Sequence, residues 1–268
     1  MIVFPHAKIN LGLSIISKRP DGFHNLETIF YPIPLRDALE IVSSDKNLFF
    51  QTGLEIPGSQ SDNLVLKACR LLEKHYPHIK PLEIHLHKVI PQGSGLGGGC
   101  SDAAETLNLV NRFLNLKISP GLLSTFAAEL GSDCPFFMQS APCFATGRGE
   151  ILEPFILDIS NYSLQLVHPD IRISTAWAFS RIRPSIPRYS LKQSISKPVK
   201  EWINTIFNDF ELPVFEAHPQ LQTIKNRLYD AGALYASMTG SGSTIYGIFE
   251  KSSVPEIVFG NATQTIIR

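Results

Sequence analysis

Gly93, Gly95, Gly97, Gly98 and Gly99 fall within the single run PQGSGLGGGCSDAA that begins at Pro91. A stretch without side chains lets backbone N–H groups converge on phosphate oxygens. A helix that starts at such a loop aims its unsatisfied N–H groups and the positive end of its dipole at the same place. The chemistry this favours is binding of a nucleotide polyphosphate. Phosphoryl transfer then needs a carboxylate to orient or deprotonate the acceptor and cations to take up the moving charge, commonly Lys and Mg2+ together. Asp133 stands in a short loop after a helix stop, where a carboxylate can project, and Lys8 carries the matching charge on an early strand. Asp133 ahead of Pro135 also reads as a helix cap.

The loop has other readings. Gly93, Gly95 and Gly98 satisfy G-x-G-x-x-G, but residues 119–130 read as a helix where a dinucleotide fold needs a second parallel strand ending in an acid. No Lys and Ser/Thr pair closes the loop in the Walker manner, and H-R-D and D-F-G do not occur. A purely structural glycine turn would cost conformational entropy with no ligand to offset it.

The elements that must position these residues are legible in outline. From Ala7 to Ile15 apolar residues alternate with Lys8, Asn10, Gly12 and Ser14, the period of a half-buried strand, with a second face small enough for something to approach closely. An edge strand facing water would look the same. A turn at Pro20 and Asp21-Gly22 and strands near 26–33 and 38–42 suggest a meander. The spacing predicts a helix over 63–75 capped by Asp62, and a strand over 82–90 with His85 and His87 on its polar face, where no third ligand supports a metal. Asp102 and Glu105 read as a capping pair for the helix after the loop, and Ser119, Pro120 and Gly131 punctuate the next one. A strand pair is expected around 145–149, then a basic, proline-containing stretch over 170–200 as an exposed joint that could also draw in a phosphorylated substrate. Helix, strand, the loop TGSGST and a last strand follow over 219–249.

The chain has 268 residues, 44% hydrophobic and 18% charged, which excludes disordered and coiled-coil classes. Lys plus Arg is 24 and Asp plus Glu is 24, so no global field grips nucleic acid or an anionic membrane, and any anion must be held by local groups. The opening MIVFPHAKIN lacks a basic segment followed by an apolar one and no membrane-length apolar run occurs, so a cytoplasmic location is expected. Cys69, Cys100, Cys134 and Cys143 form no C-x-x-C pair and are read as reduced thiols.

The loop run resembles the central phosphate-binding signature of the GHMP kinases. AKINLGL at 7–13, PDGFHNL at 20–26, GSDCPFF at 131–137, ATGRGE at 145–150, ISTAWAF at 173–179 and MTGSGST at 238–244 are similar, in order, to blocks of one member of that superfamily. That member phosphorylates the 2-hydroxyl of a cytidine diphosphate ester of methylerythritol in the non-mevalonate route to isoprenoid precursors. The resemblance implies an α+β, two-domain GHMP kinase fold: a ribosomal protein S5 domain 2-like, ATP-binding domain over 1–155 and a ferredoxin-like domain over 156–268. It implies ATP and Mg2+ as cofactors and a small-molecule cytidine diphosphate substrate, with neither nucleic acid nor membrane as partner.

By position Asp133 would be the base and Lys8 its charge partner. Pro91, Gln92, Gly93, Ser94, Gly95, Leu96, Gly97, Gly98, Gly99, Cys100 and Ser101 would wrap the ATP phosphates, with Asn63 near the adenine. Asn10 and His24 would contact the cytidine, Phe23 and Phe179 would stack on its ring, and Gly12 and Ser14 would leave room for ligand. Thr175, Gly240, Ser241 and Gly242 would complete the substrate side. Cys100 stands where Ser is usual, Phe23 where Tyr is common, and Ser132 and Cys134 where Ala and Val are frequent. Cys100 is the thiol expected to react with alkylating reagents and to be shielded by ATP. A GHMP kinase for homoserine or mevalonate, an ATP sensor without turnover, and an NAD-dependent oxidoreductase remain as alternatives at this point.

Overall fold

The alternating run becomes β2 (His6–Lys18), preceded by the short β1 (Ile2–Val3), and the turn at Asp21-Gly22 returns the chain in β3 (His24–Arg36). The expected meander stops there. β4 (Ala38–Ser43) leaves that sheet and pairs antiparallel with β6 (Leu82–Lys88), whose other edge takes β5 (Leu48–Gly53) in parallel. The computed structural model describes residues 1–56, 58–251 and 257–267.

Helix α1 (Leu64–His75) buries Val65, Ala68 and Leu72, and its cap is Asn63, not Asp62: Asn63 Oδ1 accepts the Val65 N–H at 2.9 Å. After the glycine loop come α2 (Gly98–Phe113), α3 (Pro120–Leu130) and the single turn α4 (Cys134–Phe137). The punctuation of α3 is as expected, with Ser119 accepting the Leu122 N–H, Pro120 in the first turn and Gly131 at the end. Then follow β7 (Cys143–Thr146), β8 (Ile151–Pro154), β9 (Tyr162–His168), α5 (Thr175–Arg181), α6 (Leu191–Ile195), α7 (Glu211–Ala217), α8 (Pro219–Asp230), β10 (Tyr235–Met238), β11 (Ile245–Glu250) and β12 (Thr263–Ile267). The 170–200 stretch is therefore not one solvated joint, since α5 and α6 lie in it and Leu191 and Ile195 are buried.

The chain forms two compact units. The first comprises Met1–Lys8, Pro32–Gln92 and Gly97–Ser140, the second Ile9–Tyr31, Gly93–Leu96 and Ala141–Arg268. In the first, the sheet β1-β4-β6-β5 is packed by helices around Leu39, Ile41, Ile84, Leu86, Leu107 and Phe126. In the second, the antiparallel sheet β10-β11-β9-β12 carries a core of Val167, Phe210, Val214, Leu228, Met238 and Phe249. A third sheet runs β2-β3-β7-β8, the expected strand pair near 145–149 forming its β7-β8 edge. Mixed sheets with segregated helices make the protein α+β. Among the described residues no helix is long and apolar enough to cross a membrane.

Candidate active site

Within the first unit, β2 delivers Lys8 to the segment before α4. Its Nζ lies 3.3 Å from Asp133 Oδ2, with the lysine side chain 2% exposed and the aspartate 35%. Asp133 occupies the position before α4 without a side-chain capping bond, so its carboxylate is not consumed by the helix. Gly97 packs over the lysine. A Cβ built on it would stand 2.7 Å from Phe137 Cζ and 3.2 Å from Lys8 Cε, and its φ of +74° is one that glycine adopts freely.

Gly97 is also the N-cap of α2 and brings no side chain to the helix start. The first N–H groups of a helix, here those of Gly98, Gly99 and Cys100, have no intrahelical partner. Asp102 does not cap them, contrary to the expectation from its spacing with Glu105. It lies inside α2, where its Oδ2 accepts from Lys88 Nζ at 2.7 Å. Ser101 is buried and its hydroxyl has no hydrogen-bond partner among the described residues. An uncapped helix start, a glycine cradle and an unpartnered hydroxyl fit a polyphosphate. Asn63 caps α1 while its neighbour Leu64 reaches to 3.5 Å from the Cβ position of Gly99.

Lys88 reads in the sequence as one polar residue of an alternating strand, yet it anchors this region. It is 3% exposed and its ammonium also contacts Asp37, whose other oxygen accepts the Val89 and Ile90 N–H groups at 2.6 and 2.9 Å. Gly98 must lack a side chain, because a Cβ there would meet Ile90 Cγ2 at 2.8 Å and Lys88 Nζ at 3.2 Å. Burial pushes the Asp102 carboxyl up to about 7, against the pull of Lys88. Among the described residues no three His, Cys, Asp or Glu side chains gather as a metal cage. His85 and His87 pair instead with Glu83 and Thr52.

The second unit holds the middle of the glycine loop and every residue expected on the substrate side. Gly93 is exposed, and a Cβ on it would meet nothing within 4 Å. Gly95 is the opposite case, its Cβ position being 2.0 Å from the Thr239 carbonyl oxygen, so backbone passes backbone here. The Thr244 N–H donates to the Ser94 carbonyl at 3.1 Å, and Leu96 is buried. Pro91 and Gln92 belong to the first unit.

Asn10 is 2% exposed, and its amide is engaged with protein groups: Nδ2 donates to Thr28 Oγ1 at 2.9 Å and Oδ1 faces Thr239 Oγ1 at 3.3 Å. Thr28, and Thr239 at the start of the TGSGST loop, are thus the pegs that hold this strand. β2 is buried on both faces over most of its length, not half-buried. Gly12 does not leave room for ligand, since its Cβ position is occupied to 2.6 Å by Leu191 Cδ1 and to 2.9 Å by Ile206 Cγ2. His24 stacks on Phe179 with centroids 5.1 Å apart and planes at 22°. Burial, with Lys18 adding to it, lowers the His24 pKa, which favours the neutral ring. Phe23 is 50% exposed and carries the Arg148 guanidinium 4.7 Å over its ring. Thr175 and Ser241 hydroxyls meet at 3.2 Å, flanked by Gly240 and Gly242 at positive φ.

A desolvated Lys paired with a part-exposed Asp, next to Gly97 at the uncapped start of α2, is an arrangement that can serve phosphoryl transfer. Sequence models of the GHMP kinases match in two places: the N-terminal domain over residues 63–141 and the C-terminal domain over 192–264. Fold and family models define a kinase of the GHMP class acting on a small-molecule alcohol. The 4-diphosphocytidyl-2-C-methyl-D-erythritol kinase of Parabacteroides distasonis is 55% identical over 251 residues, covering 94% of this chain and 92% of that protein. Its namesake in Bacteroides thetaiotaomicron is 52% identical over 265 residues, covering 97% and 96%. A crystal structure of 4-(cytidine 5'-diphospho)-2C-methyl-D-erythritol kinase superposes with a TM-score of 0.80 at 30% identity, covering 92% of this chain and 90% of that one. The chain belongs to the 4-diphosphocytidyl-2-C-methyl-D-erythritol kinase family.

Proposed function

We propose that the chain phosphorylates the 2-hydroxyl of 4-diphosphocytidyl-2-C-methyl-D-erythritol, with ATP becoming ADP. The observation that carries the reading is the Lys8–Asp133 pair set against Gly97 at the uncapped start of α2. When bound, ATP supplies the γ-phosphoryl group and Mg2+ screens its charge. Asp133 takes the proton of the acceptor hydroxyl on its carboxylate, the role a part-exposed oxygen suits. Lys8, with little water around it, holds that carboxylate in place and offsets negative charge as it develops. The loop from Pro91 to Ser101 holds the phosphates, through the N–H groups of Gly98, Gly99 and Cys100 and the Ser101 hydroxyl, with Asn63 toward the base.

The stacked pair His24 and Phe179, with the exposed ring of Phe23, receives the cytosine. Gly240, Ser241, Gly242 and Thr175 border the rest of the acceptor, and Asn10 acts by fixing Thr28 and Thr239. ADP release is to be measured with Mg-ATP and the cytidine substrate, beside homoserine and mevalonate, with Asp133→Asn as control. Turnover confined to the cytidine substrate and lost in the variant is expected. Turnover with homoserine or mevalonate instead, or an active Asp133→Asn enzyme, would overturn the acceptor or the base respectively.

A further inference from the structure

The two unusual cysteines of the loop regions meet. Cys100, in the first turn of α2, and Cys134, the residue after Asp133, both approach Gly131, whose Cβ position is 3.3 Å from the Cys100 Sγ and 3.2 Å from the Cys134 Sγ. No side chain at 131 stands between the sulfurs, and both lie within 3.3 Å of that one position. Cys134 is fully buried and Cys100 is partly exposed, so a reagent from solvent meets Cys100 first and Cys134 second. All four cysteines are free thiols in this structure.

We propose that Cys100 and Cys134 are a modification site for low-molecular-weight disulfides, which convert them to a reversible intramolecular disulfide that switches off ATP binding. The Cys100 thiolate attacks one sulfur of the small disulfide, forming a mixed disulfide and expelling one thiolate. Cys134 then gives up its proton and attacks the Cys100 sulfur, forming the Cys100–Cys134 bond and expelling the second thiolate. The two protons released by the cysteines end on the two small thiols, so the protein is oxidised by two electrons and the small disulfide is reduced by two. The interaction with Cys100, and burial, keep Cys134 a thiol until that step.

A disulfide holds its sulfurs about 2.05 Å apart in a fixed dihedral. Forming it draws the first turn of α2 toward the residue next to Asp133 and displaces the N–H groups of Gly98 and Gly99. The last consequence rests on the phosphate-binding role given to that helix start under the proposed function, whereas the bond itself does not.

The full chain is to be incubated with oxidised glutathione, with and without Mg-ATP, and read by peptide mass spectrometry without reduction and by thiol titration. The expected result is one Cys100–Cys134 linked peptide pair and loss of two of the four thiols, slowed by Mg-ATP and reversed by dithiothreitol. Cys134→Ala should stop at a glutathione adduct on Cys100. Glutathione adducts alone in the unaltered chain, or a different pairing, would overturn the site. Binding of a fluorescent ATP analogue to the linked protein, expected to weaken at least tenfold, decides the switch without any acceptor substrate. Unchanged binding by fully linked protein would overturn the switch, while failure of turnover with the cytidine substrate would count only against the proposed function.

Discussion

Lys8 and Asp133 form an ion pair whose two ends differ in exposure: Nζ and Oδ2 are 3.3 Å apart, with the lysine 2% and the aspartate 35% exposed. The charge is buried and the basic oxygen is presented. In the proposed mechanism these two groups act chiefly in the transition state. Asp133→Asn is expected to lower kcat by about 10²–10⁴-fold, and Lys8→Met by about 10²–10³-fold, with the KM for ATP changed only a few-fold. Steady-state kinetics at saturating cytidine substrate checks this, and a large rise in the ATP KM at normal kcat would refute the assignment.

Gly97 and Gly93 share a positive φ but differ in what surrounds them. Alanine at 93 meets open space and carries only the backbone penalty, about 1–2 kcal/mol. Alanine at 97 must also displace Phe137 and the Lys8 stem. Gly97→Ala is therefore expected to lose more thermal stability than Gly93→Ala and to reduce kcat as well. Melting curves and kcat for the two variants side by side provide the check, and equal losses would mean that the Gly97 contacts are soft.

Local signals survive from sequence to structure where the cause is local. Ser119, Pro120 and Gly131 delimit α3 because caps depend on adjacent residues. The alternation of β2 predicts a strand correctly but not its burial, since Leu191 and Ile206 cover Gly12 from a distant stretch of chain. Likewise Lys88 reads as one polar residue of a strand, and only folding brings it to Asp37 and Asp102, 51 and 14 residues away in sequence. Asp133 and Lys8 stand out in the sequence by their chemistry, but their meeting is a tertiary fact. The meander expected through β4 fails because β4 follows β3 directly in sequence while its partners are β1 and β6.

The Lys88 cluster sets a pH dependence of stability. Two carboxylates and one ammonium are buried together, and the Asp102 carboxyl is raised from 3.8 to about 7. The folded state therefore keeps a proton that the unfolded chain releases at lower pH, so this contribution is complete below the unfolded value and is lost as pH rises toward the folded one. Asp102→Asn stays neutral and still accepts from Lys88. The Tm of the variant relative to the parent is expected to climb between pH 5 and pH 8, and a difference that falls over this range would reverse the sign. Lys88→Met, which strands both carboxylates, is expected to cost about 3–5 kcal/mol.

In the proposed substrate site, His24 and Phe179 form one aromatic surface because each fixes the plane of the other. Phe179 is held in turn by the edge of Phe210, with centroids 4.9 Å apart. Stacking of a base on an aromatic ring is worth about 1–3 kcal/mol. Phe179→Ala removes that surface and frees His24, so the KM for the cytidine substrate is expected to rise at least tenfold while the ATP KM holds. Phe179→Tyr keeps the ring plane and should restore the substrate KM to within a few-fold. Initial rates with each substrate varied in turn measure both. A rise in the ATP KM of equal size in Phe179→Ala would place this aromatic pair on the nucleotide side instead.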